Sequence, residues 1–382
     1  MQGNYWQAAN QKLLAKAISE LHFENAITVD PFEGRQFRLA LPDAEWLFSG
    51  TMSIWGMVIV DIGSVSRDDN QQPALISLVM DLQPVIKMDP LHLGGFIEEL
   101  QATLAAEQQH LAMLDAMPAD KLVALSETDR QPYLDAHPKF LANKGRLGWG
   151  KQESQQYAPE YGNAFVLHYI AVHRECAQHG FRDGLDQAVL LTDTLSPASY
   201  DALMTRLPMD KHDDYLIMAV HPWQMQRYIY SQYASLLASG EMIDLGTCAE
   251  LWQPQQSIRT LSRVDNQGKY DVKTALTILN TSCYRGVPGN FIAHGPVLSK
   301  WLSACVSQDE LLSRLGMYVQ QEVAGVYCPQ PYQSQIDSCY KYHEMLGCVW
   351  RERAESLLLS NQRPMSMATL MQAGGDGVSC VE

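Results

Sequence analysis

Hydrophobic positions recur along this chain at two periods, and the changes between them mark its elements. In residues 5–21, Trp6, Leu13, Leu14, Ala17, Ile18 and Leu21 share one stripe of a 3.6-residue repeat, which predicts an N-terminal amphipathic helix. Residues 36–65 read as two or three strands with a turn at Ser49-Gly50. Phe96, Ile97, Leu100, Leu104, Leu111 and Leu114 return to helical spacing and predict a long amphipathic helix. Residues 117–130 are polar and read as an excursion. A second series opens near residue 165: strand-like at 164–172, helix-like at 199–206, strand-like at 214–220, helix-like at 222–238, and helical again from Leu298 to Leu315. No repeat or low-complexity tract is visible. This alternation predicts an α+β fold with mixed sheets.

Between the last two helical stretches lies the most informative segment, residues 257–285. Ser257-Ile258-Arg259-Thr260 and Asp271-Val272-Lys273 flank the turn signal Asp265-Asn266-Gln267-Gly268, and Asn280 to Arg285 follow. Folding about that turn predicts Thr260 opposite Lys273, with Arg259 alongside. Strand alternation then predicts Thr277 and Thr281 on the face of Lys273. Cations and hydroxyls on one face suit a polyphosphate, because guanidinium groups bind it bidentately and Lys supplies a point charge. A solvated hairpin with ordinary surface charge is the competing reading.

Charge sharpens this picture. The 382 residues carry 28 Lys and Arg against 43 Asp and Glu, a formal net charge of −15. Nucleic acid and anionic membranes are therefore not expected as partners, and local positive patches become informative. The eight Cys are scattered with no C-x-x-C pair, which predicts reduced thiols and a cytoplasmic setting. The first twenty residues have no apolar signal-peptide core, and the uncharged run from Trp46 to Val60 is too short to span a bilayer. No G-x-x-x-x-G-K-[ST], G-x-G-x-x-G, G-x-S-x-G or H-E-x-x-H motif is present.

Three further constellations carry candidate chemistry. From His137 to Lys151 four cations, Lys139, Lys144, Arg146 and Lys151, occur with no acid between Asp135 and Glu153, a local anion trap or a basic surface loop. Tyr157-Ala158-Pro159-Glu160 follows, where Glu160 either orients a cation or caps a turn. His221-Pro222-Trp223-Gln224 sits at a strand-to-helix junction, with Pro222 suited to the first helical position. His221 and Gln224 there either meet an anion or cap the helix.

Taken in order, these blocks resemble the NRPS-independent siderophore synthetases, the IucA/IucC family of the aerobactin synthetases. The resemblance rests on His137-Pro138 with Lys144-Gly145-Arg146-Leu147-Gly148, on Tyr157-Ala158-Pro159-Glu160, on His221-Pro222-Trp223-Gln224, on Ser257-Ile258-Arg259-Thr260, on Lys273, and on Thr281 to Arg285. It covers residues 120–300 well. It implies a hand-like fold of thumb, fingers and palm. It also implies an ATP-dependent ligase that activates a carboxylate as an acyl-adenylate and condenses it with an amine. Ser257, Arg259, Thr260 and Lys273 would hold the ATP phosphates, with Thr281 close by. His137 and Arg285 would meet the carboxylate and the developing charge at the α-phosphorus. Lys144 and Arg146 would close over phosphate or substrate, and His221 and Gln224 are expected at the substrate.

Phe140 stands where some members carry a second His, a pattern similar to the desferrioxamine, alcaligin and putrebactin branch, which joins or closes succinyl-hydroxamate amines. Citrate-using members are the alternative. Ala136 in place of Gly and Ser282 in place of Asn depart from the family pattern. Members are also longer. The resemblance implies a thumb-like domain over 1–165 and a fingers-like domain over 166–372, with residues 373–382 an unstructured or frameshifted tail and the palm absent. The palm is where the family keeps its Mg2+ ligands, so no metal ligands are expected in this chain. The expected partners are a small carboxylate and an amine, with a homodimer as the assembly. Two other readings stay open: a non-catalytic remnant that binds a ligand or a partner chain, and an unrelated protein with a chance phosphate-binding hairpin.

Overall fold

The computed structural model describes residues 5–358 apart from 70, 138, 282, 333–334 and 336–343, together with Gln362, Pro364 and Met365; the side chains of Ala119 and Asn290 are also outside the description. Ser282, the tail at 373–382 and most of the segment from Arg363 to Met371 therefore lie outside the described residues. Contacts divide the chain into one unit of residues 1–117, 135–148 and 279–283, and another of 118–134, 149–278 and 284–382.

In the first unit, α1 (Tyr5–Phe23) buries Ala9, Leu13, Leu14, Ala17 and Ile18. Trp6, at the start of the expected stripe, is 42% exposed. Five short strands follow: β1 (Asp30–Pro31), β2 (Gln36–Ala40), β3 (Glu45–Met52), β4 (Val58–Val60) and β5 (Ser66–Arg67), paired in the order β1-β2-β3-β4 with β5 also on β3. The expected turn at Ser49-Gly50 is corrected. Both residues lie inside β3, and the chain reverses at Ser53–Met57, where Ser53 N–H donates to the Met57 carbonyl. Gly50 serves close approach instead, since a Cβ there would stand 2.5 Å from the Ile59 carbonyl oxygen. After α2 (Leu75–Ile86), α3 (Pro90–Asp115) is the predicted long helix. Asp89 caps it by accepting from the Leu91 and His92 N–H groups, and Pro90 takes the first turn. Trp46 and Phe48 of β3 fill the core between these helices and the sheet.

The second unit is built on an eight-stranded sheet. Its members are β6 (Phe165–His173), β7 (Gln178–Phe181), β8 (Tyr215–Val220), β9 (Met242–Pro254), β10 (Thr260–Arg263), β11 (Tyr270–Thr274), β14 (Glu322–Tyr327) and β15 (Gly347–Glu352), in the order β7-β14-β15-β11-β10-β9-β6-β8 with antiparallel pairing. Between β11 and β14, β12 (Leu276–Asn280) and β13 (Cys283–Arg285) form a separate two-stranded ribbon. The continuous apolar run of β8 is buried on every residue, as expected of a strand covered on both faces. The helical pattern at 222–238 is broken into Pro222–Gln224, a π-helical turn at Met225–Ile229, Tyr230–Gln232 and Ala234–Ser239. The helix Gly295–Gln308 is the reverse of a usual amphipathic helix. It turns Ser299 and Ser303 to the sheet, where they accept from Glu322 N–H and the Gln321 amide, and leaves Val297, Leu298 and Trp301 more than half exposed. Among the described residues no helix is long and apolar enough to cross a membrane.

Candidate functional site

The β10–β11 hairpin has the register read from its turn: Thr260 pairs with Lys273 and Leu261 with Val272. Lys273 also pairs with Val349 of β15, so it lies in the interior of the sheet. Arg259 sits one residue before β10, in a turn over residues 255–260. Ser257 Oγ accepts from Thr260 N–H at 3.1 Å and closes that turn. Between them Ile258 is fully buried with φ +60°, a left-handed conformation that a β-branched residue adopts only when its surroundings impose it.

Arg259 and Lys273 line one cavity of about 380 Å3, with Glu322 beside them and Ile292, Leu298 and Leu302 on its apolar wall. Arg259 Nη1 donates to the Gly286 carbonyl, directly after Arg285. Burial lowers the Arg259 guanidinium to about 10, and the Arg285 charge pushes it the same way, against the pull of Glu344 and Glu322. The three cations therefore converge. Lys273 Nζ lies 3.3 Å from Glu322 Oε1, yet burial still lowers its ammonium, with Arg259 adding to the effect. Glu322 was missed by sequence reasoning. It arrives from a strand 49 residues beyond Lys273, and nothing but its position at the head of an apolar run marks it.

The period-two extension does not carry past β11. Ala275 N–H still continues the β15 register by donating to the Gly347 carbonyl, but the next strand, β12, pairs with β13 instead, and Thr277 is 3% exposed. Gln224 holds it there. The Gln224 amide donates to Thr277 Oγ1 at 2.7 Å and to the Met345 carbonyl, and its Oε1 accepts from Thr277 N–H. Gln224 is fully buried in this clamp, which corrects its expected place at the substrate. Thr281 groups with the first unit, in the turn of the β12–β13 ribbon at φ +50°.

His221 is likewise corrected. It is fully buried against Tyr157 and Phe165, with ring centroids 4.7 and 5.0 Å away. Its Nδ1 accepts from Trp223 N–H, the capping alternative, and burial pushes the imidazole down to about 3. A neutral buried ring of this kind does not offer a charge to an anion.

In the first unit the basic loop is not an open anion trap. Lys144 is 1% exposed, and its ammonium sits 2.6 Å from Glu107 Oε2 and 2.5 Å from Asp135 Oδ1. Lys12 joins the same two carboxylates, and Lys139 pairs with Glu20. The expectation that Lys144 closes over phosphate is therefore corrected, because a buried, doubly paired ammonium has no free charge to give. Arg146 is also buried, at 6% exposure. His137 is exposed, with its ring edge-on to Phe140 at 4.6 Å and its carbonyl accepting from the Asn143 amide. Among the described residues the one group of three potential metal ligands is Glu107, His110 and Asp135. Lys12 and Lys144 occupy its carboxylates, so the donor set suits an internal ion-pair network and does not fit Mg2+.

The model of the IucA / IucC family matches residues 126–372. The chain belongs to that family. It is 36% identical over 371 residues to an aerobactin synthase of Escherichia coli, an alignment covering 96% of this chain and 63% of the relative. Against a putrebactin synthase of Shewanella sp. (strain MR-4) it is 29% identical over 378 residues, covering 96% of this chain and 60% of the relative. The solved aerobactin synthetase IucC from Klebsiella pneumoniae superposes with a TM-score of 0.83 at 34% identity, covering 97% of this chain and 66% of that one. The chain thus spans 63% of the length of that aerobactin synthase. The α+β fold with antiparallel sheets is that of these IucA/IucC structures.

The corrected residues tie stability to pH in two separate windows. Burial alone would raise the carboxyls of Glu107 and Asp135, but Lys144 and Lys12, with His110 at Glu107, hold both below the usual carboxylate range. Their contribution is present at neutral pH and is lost as pH falls below the ordinary carboxylate values. Lys144→Met, which leaves the buried Glu107 and the partly exposed Asp135 to Lys12 alone, should lower unfolding free energy by about 3 kcal/mol at most in urea titrations at pH 7, and by less at pH 3. His221 acts in a higher window. Its folded value lies below the ordinary 6.5, so the unfolded chain binds the extra proton and stability falls as pH drops from 6.5 towards 3. His221→Phe should flatten the urea midpoint between pH 6.5 and 5, where the carboxylates do not yet titrate.

Proposed function

We propose that this chain is the nucleotide-binding portion of an ATP-dependent carboxylate–amine ligase in siderophore synthesis. The observation that carries the reading is the convergence of Arg259 and Lys273 on one cavity of an otherwise acidic protein, with the Arg285 charge close enough to depress the Arg259 guanidinium. The partial burial of these charges against an apolar wall reduces their hydration and so strengthens their hold on phosphate oxygens. Ser257 and Thr260 shape the turn that presents Arg259, and Lys273 answers from the neighbouring strand.

The reaction begins when a carboxylate oxygen attacks the α-phosphorus of ATP. The bond from that phosphorus to the bridging oxygen breaks, and pyrophosphate leaves. Both reactants are anions, so fixed cations lower the barrier by offsetting their repulsion. An amine then attacks the acyl carbon, AMP leaves with the bonding electron pair, and the amine proton passes to solvent. Within the second unit Arg285 takes the role at the carboxylate. Magnesium would supply further charge compensation for the phosphates, from ligands outside the described set. A reduced cytoplasmic setting and a homodimer belong to the same proposal; six described cysteines are free.

For the substrate, Phe140 favours succinyl-hydroxamate amines, joined or cyclised as in the putrebactin branch. The higher identity to an aerobactin synthase, 36% against 29%, favours the citrate-activating alternative. ATP–pyrophosphate exchange with each carboxylate separates them: exchange driven by citrate alone selects the second. No exchange with either, in a chain that still binds ATP, selects a binding remnant. Arg259→Ala or Lys273→Ala should weaken ATP binding at least tenfold in calorimetric titration, the loss of one charge-assisted contact; unchanged affinity refutes the phosphate role. Glu322→Gln should act oppositely and tighten ATP about fivefold, since it frees Lys273 from a competing carboxylate.

A further inference from the structure

The turn that carries Arg259 is tied to a buried carboxylate which the phosphate site does not use. Asp271, on β11, is 3% exposed. Its Oδ1 accepts from Ser262 Oγ at 2.7 Å, and its Oδ2 accepts from the Gln255 amide at 2.8 Å. The same Gln255 amide donates to Ser262 Oγ, while Gln255 Oε1 accepts from Arg351 Nη2 at 3.1 Å. Through its backbone Gln255 then closes the 255–260 turn from both ends. Its N–H donates to the Thr260 carbonyl, and its carbonyl accepts from Ile258 N–H, each at 2.8 Å.

We propose that Asp271 is a positioning residue for the nucleotide: through Gln255 it fixes the 255–260 turn and so aims Arg259 into the cavity. The inference rests on the phosphate role proposed for Arg259. Three observations support it. Ile258 is held in a conformation that it would leave if unrestrained, so something rigid must hold the turn. Asp271 pairs with Arg351 and Arg353 at 3.6 and 3.8 Å, but its short hydrogen bonds go to Gln255 of the turn and to Ser262 of the flanking strand, so the turn is its most intimate partner. Finally, Asp271, Gln255, Ser262 and Arg351 border a polar cavity of about 130 Å3, which gives the network room to relax when Asp271 is altered. Asparagine at this position keeps the Ser262 bond but turns an amide donor towards the Gln255 donor, and the link to the turn is lost.

The test is a double-mutant cycle on ATP affinity, measured by titration calorimetry on the full 382-residue chain. Asp271→Asn should weaken ATP about tenfold when Arg259 is present and leave affinity unchanged in the Arg259→Ala background. Adding Gln255→Glu to Asp271→Asn should restore affinity, because the new carboxylate accepts both from the amide introduced at position 271 and from Arg351. Equal loss in both backgrounds, or no loss in either, overturns the inference and leaves the phosphate reading standing. No effect of Arg259→Ala by itself overturns both. If Asp271→Asn does not fold, Gln255→Leu, which keeps the carboxylate and its arginines, is scored by the same cycle with the same outcomes.

Discussion

Like charges resist being brought together away from water, and the second unit is organised around meeting that resistance. Arg259 and Lys273 share a half-buried cavity, with Arg285 near enough to depress the Arg259 guanidinium. Nothing in an isolated hairpin would keep them so. The interior position of β11, between β10 and β15, fixes Lys273, and the 255–260 turn fixes Arg259. Glu322 offsets part of the repulsion from a third strand. The resulting charge is stored in the fold before any ligand arrives, and preorganisation of this kind avoids rearrangement at the moment of binding.

What was legible in the sequence was local. The turn at Asp265 to Gly268 set the hairpin register, because two strands about a short turn admit few pairings. The stripe of α1, the long α3 and the apolar runs of β6 and β8 were visible as periodicities. What failed depended on partners far along the chain. Lys144 looked like a free cation because its carboxylates lie 37 and 9 residues away, across α3 and the preceding loop. Gln224 looked like a ligand contact, but Thr277, 53 residues on, consumes its amide. A polar residue in a motif says only that it needs a partner; the fold decides whether that partner is internal.

The same distinction separates the two histidines. His137 and His221 each precede a proline, and both read as candidates for an anion. One is exposed in a loop beside Phe140. The other ends a strand buried on every residue, so the backbone cap takes its lone pair and aromatic rings take its faces. Burial, which pattern reading sees only through neighbouring apolar runs, decides between chemistry and support.

The cavity is uneven in stiffness. Its cationic floor belongs to an eight-stranded sheet whose Val272 and Trp350 are sealed from solvent, whereas the helix Gly295–Gln308 that bounds it buries only Pro296. Local opening free energy scales with buried apolar contact, so the helix can lift at small expense while the floor stays put. For the proposed nucleotide, the way in and out would run past a yielding flank over an unyielding base.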